Sequence, residues 1–195
     1  MKKVLVLAVA VVAVAGWMAN TSSAHQGVSC AGCHVPHNAG TAGAGQPAGP
    51  LWNPTLLNKV LPTYTLYSSP TFDALNTGIT QPDGATKLCL GCHDGSYPGI
   101  EGMTQFGTAD LAASHPVSFI FDTNLAVRAN GGLKDPGTAT SGLGGTIKAD
   151  LLDANDKMQC TSCHDVHQTA FSNALRWQYD TGAAGNTFCR TCHNK

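Results

Sequence analysis

The sequence is poor in the features from which most globular chains are built. Aromatic residues make up 7% of its 195 positions and charged residues 12%, and long stretches follow neither the helical nor the strand period. As bare polypeptide, such a chain has little large apolar surface to set against the entropy lost on ordering. No run of like charge and no basic patch occurs, which excludes a nucleic-acid surface of the electrostatic kind. No apolar stretch reaches the about 20 residues that a bilayer-spanning helix requires.

No cysteine is left over either. The eight cysteines fall into four copies of one spelling, C-x-x-C-H: Cys30–Cys33–His34, Cys89–Cys92–His93, Cys160–Cys163–His164 and Cys189–Cys192–His193. This spelling is that of covalent c-type haem attachment. Cysteines three apart share one face of a helical turn, so two thiols reach two vinyl groups of one macrocycle. The following histidine then offers an imidazole to the iron. Disulfides, paired-cysteine zinc sites and iron–sulfur clusters are the competing readings. None requires histidine after every pair. With 8 histidines in 195 residues, four such coincidences have a probability on the order of 10⁻⁶, so four haem c groups are the expected cofactor.

Residues 1–24 read as a secretory signal: Lys2 and Lys3, an apolar run over residues 4–17, and Ser22, Ser23 and Ala24 as a small-residue cleavage site. Cleavage after Ala24 leaves His25 first and no membrane span. Export fits the cofactor, because haem c is attached outside the cytoplasm in bacteria and archaea. The expected location is secreted, extracellular or cell-surface, with the periplasm as the alternative. Residues 25–195 form one expected tetrahaem domain. Its fold class is mostly irregular with short α-helices and little β, a single compact domain wrapped around four stacked haems that supply its apolar surface.

Between the motifs, residues 40–50 (GTAGAGQPAGP) form a turn-rich connector. Trp52 and residues 56–67 are expected to pack over haem. VSFIFD (residues 117–122) alternates as a short edge strand would. Residues 130–145 read as a mobile surface connection, and residues 150–159 as a helix leading into the third motif. Without Lys2 and Lys3, nine basic residues face twelve acidic ones, a net −3. Arg128, Arg176, Arg190 and the lysines are read as propionate partners or solvated surface.

Four histidines follow the cysteine pairs, and four remain: His25, His37, His115 and His167. Only Met103 and Met158 survive signal removal, and two methionines cannot serve four irons. Bis-histidine ligation throughout is therefore expected, with His25 the weakest member because it sits at a terminus. His37 and His167 each lie three residues after a proximal histidine, on the same side of that haem. Neither can reach round to the opposite face, so each must serve a different haem, which forces two irons close together.

The opening HQGVSCAGCHVPHN resembles the mature start of extracellular multihaem cytochromes that polymerise into filaments, the OmcS and OmcE type. KLCLGCHDGS and SHPV are similar to phrases of the wider doubled C-x-x-C-H cytochrome family. Four motifs match the OmcE-type count better than the six-haem OmcS type. The resemblance says little about residues 40–87 or 131–156. It implies that His37, with Asn38 completing the motif, is supplied to a haem in the neighbouring subunit of a homopolymer. The blander alternative has His37 serving another haem of its own chain.

With both axial positions filled, the expected activity is electron transfer without substrate chemistry, so the chain is not read as an enzyme. The expected partners are other redox proteins or extracellular acceptors. A monomeric periplasmic shuttle is the alternative within this class. A multihaem reductase, needing an open iron and proton-donating pocket residues, is the alternative outside it.

Overall fold

The computed structural model describes residues 25, 28–40, 51–74, 79–96, 105–168, 170–179 and 187–194. The leader read over residues 1–24, most of the connector after Gly40, and Met103 lie outside the described residues.

Among the described residues the helices are short: α1 Cys30–Cys33, α2 Pro54–Leu57, α3 Gly84–His93, α4 Thr123–Arg128, α5 Ile147–Leu151, α6 Cys160–Cys163 and α7 Thr187–Arg190. Single 3-10 turns lie at Asp110–Ala112 and Ser172–Ala174. There is no strand among these residues, only isolated antiparallel bridges. The chain is thus mostly irregular with short helices, as expected for a small haem-binding domain.

Helices of four residues cannot persist alone, and side-chain caps and tertiary contacts hold them. Ser29 Oγ accepts from the Ala31 amide at 3.3 Å to start α1. Asn53 caps α2 by accepting from Thr55 N at 2.9 Å, and its Nδ2 donates to the Ala31 and Gly32 carbonyls of α1 at 3.1 and 3.3 Å. One side chain therefore ties two elements. Asp122 and Thr146 cap α4 and α5 in the same manner.

Apolar burial falls into two clusters. The larger gathers Ala74, Phe119, Phe121, Leu125, Ile147, Leu151 and Met158, the second Tyr64, Leu90 and Leu111. Helix α3 packs against both α2 and α6, and α5 against α6.

Three connecting segments depart from expectation. Residues 117–122 make no strand, because Ser118 sits at φ 62 and breaks the extended run. What survives is the bridge of Ile120 with Lys157, flanked by Met158 N donating to Phe119 O at 2.9 Å. The helix expected over residues 150–159 lies earlier, at Ile147–Leu151, since Thr146 supplies its cap and Leu152 leaves it extended. Residues 130–145 are not a loose connection. Pro136 and Ser141 are fully buried, Leu133 bridges His193, and Lys134 Nζ donates to Arg190 O at 2.5 Å.

Candidate functional site

All eight cysteines and all eight histidines are among the described residues, so the whole expected ligand set can be placed. Three attachment motifs share one local construction. The Asn53 amide donates to Cys33 O at 2.7 Å and Val35 N to Leu51 O at 2.8 Å. At the third motif, Arg176 N donates to Cys163 O at 3.0 Å and Asp165 N to Ala174 O at 2.7 Å. At the fourth, Lys134 N donates to Cys192 O at 2.8 Å and Asn194 N to Gly132 O at 3.1 Å. Each pair of bonds clamps the proximal histidine in an antiparallel bridge: His34 with Trp52, His164 with Leu175, His193 with Leu133. The second motif differs, because His93 closes the ten-residue α3 and its carbonyl accepts from Phe106 N at 2.7 Å.

The imidazoles are further fixed by their neighbours. The Trp52 ring lies on His34 with centres 4.9 Å apart and planes 24° from parallel. His164 Nδ1 sits 2.8 Å from Asn173 O, and His115 Nδ1 2.9 Å from Pro116 O. A carbonyl only accepts, so Nδ1 carries the proton in both and Nε2 keeps a lone pair for a metal.

Three histidine pairs meet across the fold. Ring centres lie 6.1 Å apart for His25 and His93, 6.1 Å for His34 and His167, and 6.3 Å for His115 and His193. With metal–nitrogen bonds of about 2 Å and roughly 1 Å from nitrogen to ring centre, two imidazoles on opposite sides of one iron have centres about 6 Å apart. The spacing therefore fits a bis-imidazole haem iron, and each pair joins one histidine of a C-x-x-C-H motif to one that is not. His164 and His37 are the two left over. His37 is exposed and makes no hydrogen bond, ion pair or ring contact among the described residues.

The four cysteine pairs are neighbours in order of sequence. Burial raises the Cys92 thiol, and Cys33 raises it further. Cys89 donates to the Cys160 sulfur, which holds the Cys89 proton on and lowers Cys160. Burial, then Cys160 and Cys189, push Cys163 up to about 11. Burial and then Cys163 push Cys192 up to about 12. One cavity of about 1020 Å³ is lined by Cys163, His164, Cys189, Cys192, His193 and His115 together with Phe72, Phe119, Leu125, Trp177 and Phe188. Two attachment motifs thus open into one apolar space, suited to porphyrin faces. All eight thiols are free, and no three His, Cys, Asp or Glu side chains converge as metal ligands among the described residues.

Sequence reasoning missed the residue that couples the second and third motifs. Gln159 is 1% exposed. Its Oε1 accepts from Thr86 N at 3.2 Å and Thr86 Oγ1 at 2.6 Å, while Nε2 donates to Asp83 Oδ1 at 3.0 Å and Asp153 Oδ2 at 2.9 Å. Thr86 Oγ1 accepts in turn from Cys160 N at 3.1 Å. Gly84, at φ 50, permits the approach: a Cβ there would lie 2.8 Å from Gln159 Nε2. The sequence signal was a polar residue directly before Cys160, at a helix start. Lys59 was missed likewise. Its Nζ donates to Gly91 O at 2.5 Å and pairs with Asp94 at 2.9 Å, tying residue 59 to the end of α3.

Residues 153–195 match the family model of the doubled CXXCH motif. No curated protein matches the chain. The matched segment carries the third and fourth motifs, the pair that opens into the shared cavity. Paired CXXCH motifs are those of multihaem c-type cytochromes, so haem c is the group these residues hold and electron transfer the activity they serve. No helix among the described residues is long and apolar enough to cross a membrane.

Proposed function

We propose that the protein is a four-haem electron carrier whose irons are all bis-histidine ligated, and that it polymerises, with His37 of one copy completing the His164 site of the next. Haem supplies reversible one-electron chemistry at iron. The protein's residues supply the rest: Cys30 and Cys33, Cys89 and Cys92, Cys160 and Cys163, and Cys189 and Cys192 tether, while eight imidazoles ligate.

The observation that carries this reading is the count of pairs. Three of the four motif histidines have a second histidine at iron-spanning distance, and the remaining one, His164, has none. The one other histidine outside these pairs is His37, and it stands exposed. Its own motif excludes it from the His34 haem by reach, so a second copy is the economical source of the missing ligand. The neighbouring cysteine pairs and the shared cavity support a contiguous row of haems, and the resemblance of HQGVSCAGCHVPHN to filament-forming cytochromes supports the polymer.

Export follows from the basic start and apolar run of residues 1–24, with extracellular electron acceptors or other redox proteins as partners. In this reading the protein is not an enzyme. A second reading draws on the same gap: a monomer would keep the His164 iron open at one axial position, as a reductase requires.

Replacement of His37 by alanine separates them. The polymer reading expects filaments to be lost and one high-spin, cyanide-binding haem per chain to remain. Filaments that still assemble with every haem low-spin would contradict it.

A further inference from the structure

The three imidazole pairs differ in one geometric respect. The planes of His34 and His167 lie 23° from parallel and those of His25 and His93 29°, whereas His115 and His193 are crossed at 82°. Backbone holds the His115 ring directly and the His193 main chain beside it. Nδ1–H of His115 donates to Pro116 O at 2.9 Å, in a segment whose chain direction the proline restricts. His193 is clamped by Lys134 N on Cys192 O and Asn194 N on Gly132 O. Both rings face the shared cavity.

An axial imidazole donates π density into the iron d orbital perpendicular to its ring. Two parallel imidazoles raise the same orbital and split it from its partner, and the ferric hole is stabilised in the upper one. Crossed imidazoles raise both orbitals alike, so the splitting collapses and the ferric state loses that stabilisation. Ring orientation, set by the hydrogen bond to the far nitrogen, is thus a lever on the metal.

We propose that His115, held across His193, makes the Cys189–Cys192 attachment the electronically distinct site of the protein, with a more positive reduction potential than the two near-parallel sites. The proposal rests on the bis-histidine reading above. Its consequence is a preferred resting place for a single electron, at the C-terminal attachment.

The test is low-temperature electron paramagnetic resonance of the oxidised holoprotein, combined with a reductive titration in which dithionite supplies one electron per iron. The expected spectrum contains rhombic low-spin signals and one strongly anisotropic low-spin signal with a single large g value. The anisotropic signal is expected to disappear before the rhombic signals of the near-parallel pairs and to be lost in His115→Ala, whose rhombic signals persist. Rhombic signals alone in the wild type, an anisotropic signal that is reduced last, or one undiminished in His115→Ala would overturn the proposal and leave bis-histidine ligation standing. Absence of any low-spin signal would overturn the parent reading and this one with it. The wild-type spectrum carries the test where the variant does not mature.

Discussion

The imidazoles of His34 and His167, from opposite ends of the chain, have ring centres 6.1 Å apart with planes 23° from parallel. The pairing carries the first motif onto the third, because His167 stands three residues after His164. Replacing His167 with alanine is expected to leave four haems covalently attached, since no cysteine is touched, while turning one low-spin iron high-spin. Magnetic circular dichroism with and without cyanide checks this. An unchanged low-spin count would show that His167 is a surface histidine.

The Gln159 network predicts a stability loss far from any ligand. Gln159→Ala strands the Thr86 amide and removes donors from Asp83 and Asp153, at a cost of about 2–3 kcal/mol. Gly84→Ala forces a side chain into left-handed backbone and onto Gln159 Nε2, with a cost of about 1–3 kcal/mol. In the double variant the clash is relieved, so the two costs are expected to sum to less than their separate values. Denaturant melts of the four holoproteins measure the cycle, and strict additivity would show that the two residues do not communicate.

Lys59 gives a pH prediction. Burial tends to raise the Asp94 carboxyl, but hydrogen bonds from Ser96 and Lys59 outweigh it and hold the group below its usual 3.8. A depressed carboxyl stabilises the fold above its unfolded value, and that contribution is lost as pH falls through the folded one. Lys59→Met lets the folded value rise, so acid unfolding is expected to begin at higher pH. Soret circular dichroism during acid titration follows it, and an unmoved midpoint would count against the ion pair.

A chelator separates the covalent cofactor from a zinc reading of the same cysteines. Dialysis against excess EDTA is expected to leave absorption and fold unchanged, whereas a zinc-held domain would unfold. Unfolding on dialysis would return the paired cysteines to metal binding.

The short helices at the motifs and the scarcity of strand were legible because C-x-x-C-H dictates a helical turn and the intervening sequence lacks periodicity. The supply of histidine was legible too, because eight can be counted and two of the four methionines fall in the leader read over residues 1–24. The pairing of His25 with His93 was not, since it depends on long-range packing. Nor was the bracing by residues 130–145: a glycine-rich stretch reads as loose until Pro136 is seen buried and Lys134 bonded to the last motif. VSFIFD misled because alternation says nothing of a left-handed Ser118. Gln159 escaped notice because a polar residue before Cys160 marks a helix start without showing that its amide is buried among Thr86, Asp83 and Asp153.

The spin-state census of the ferric protein, taken on protomers and again on assembled material, tests the account most directly. Three low-spin irons and one high-spin iron per protomer, becoming four low-spin irons on assembly, is the expected result. Four low-spin irons in the isolated protomer, or a high-spin iron that persists in the assembly, would contradict it.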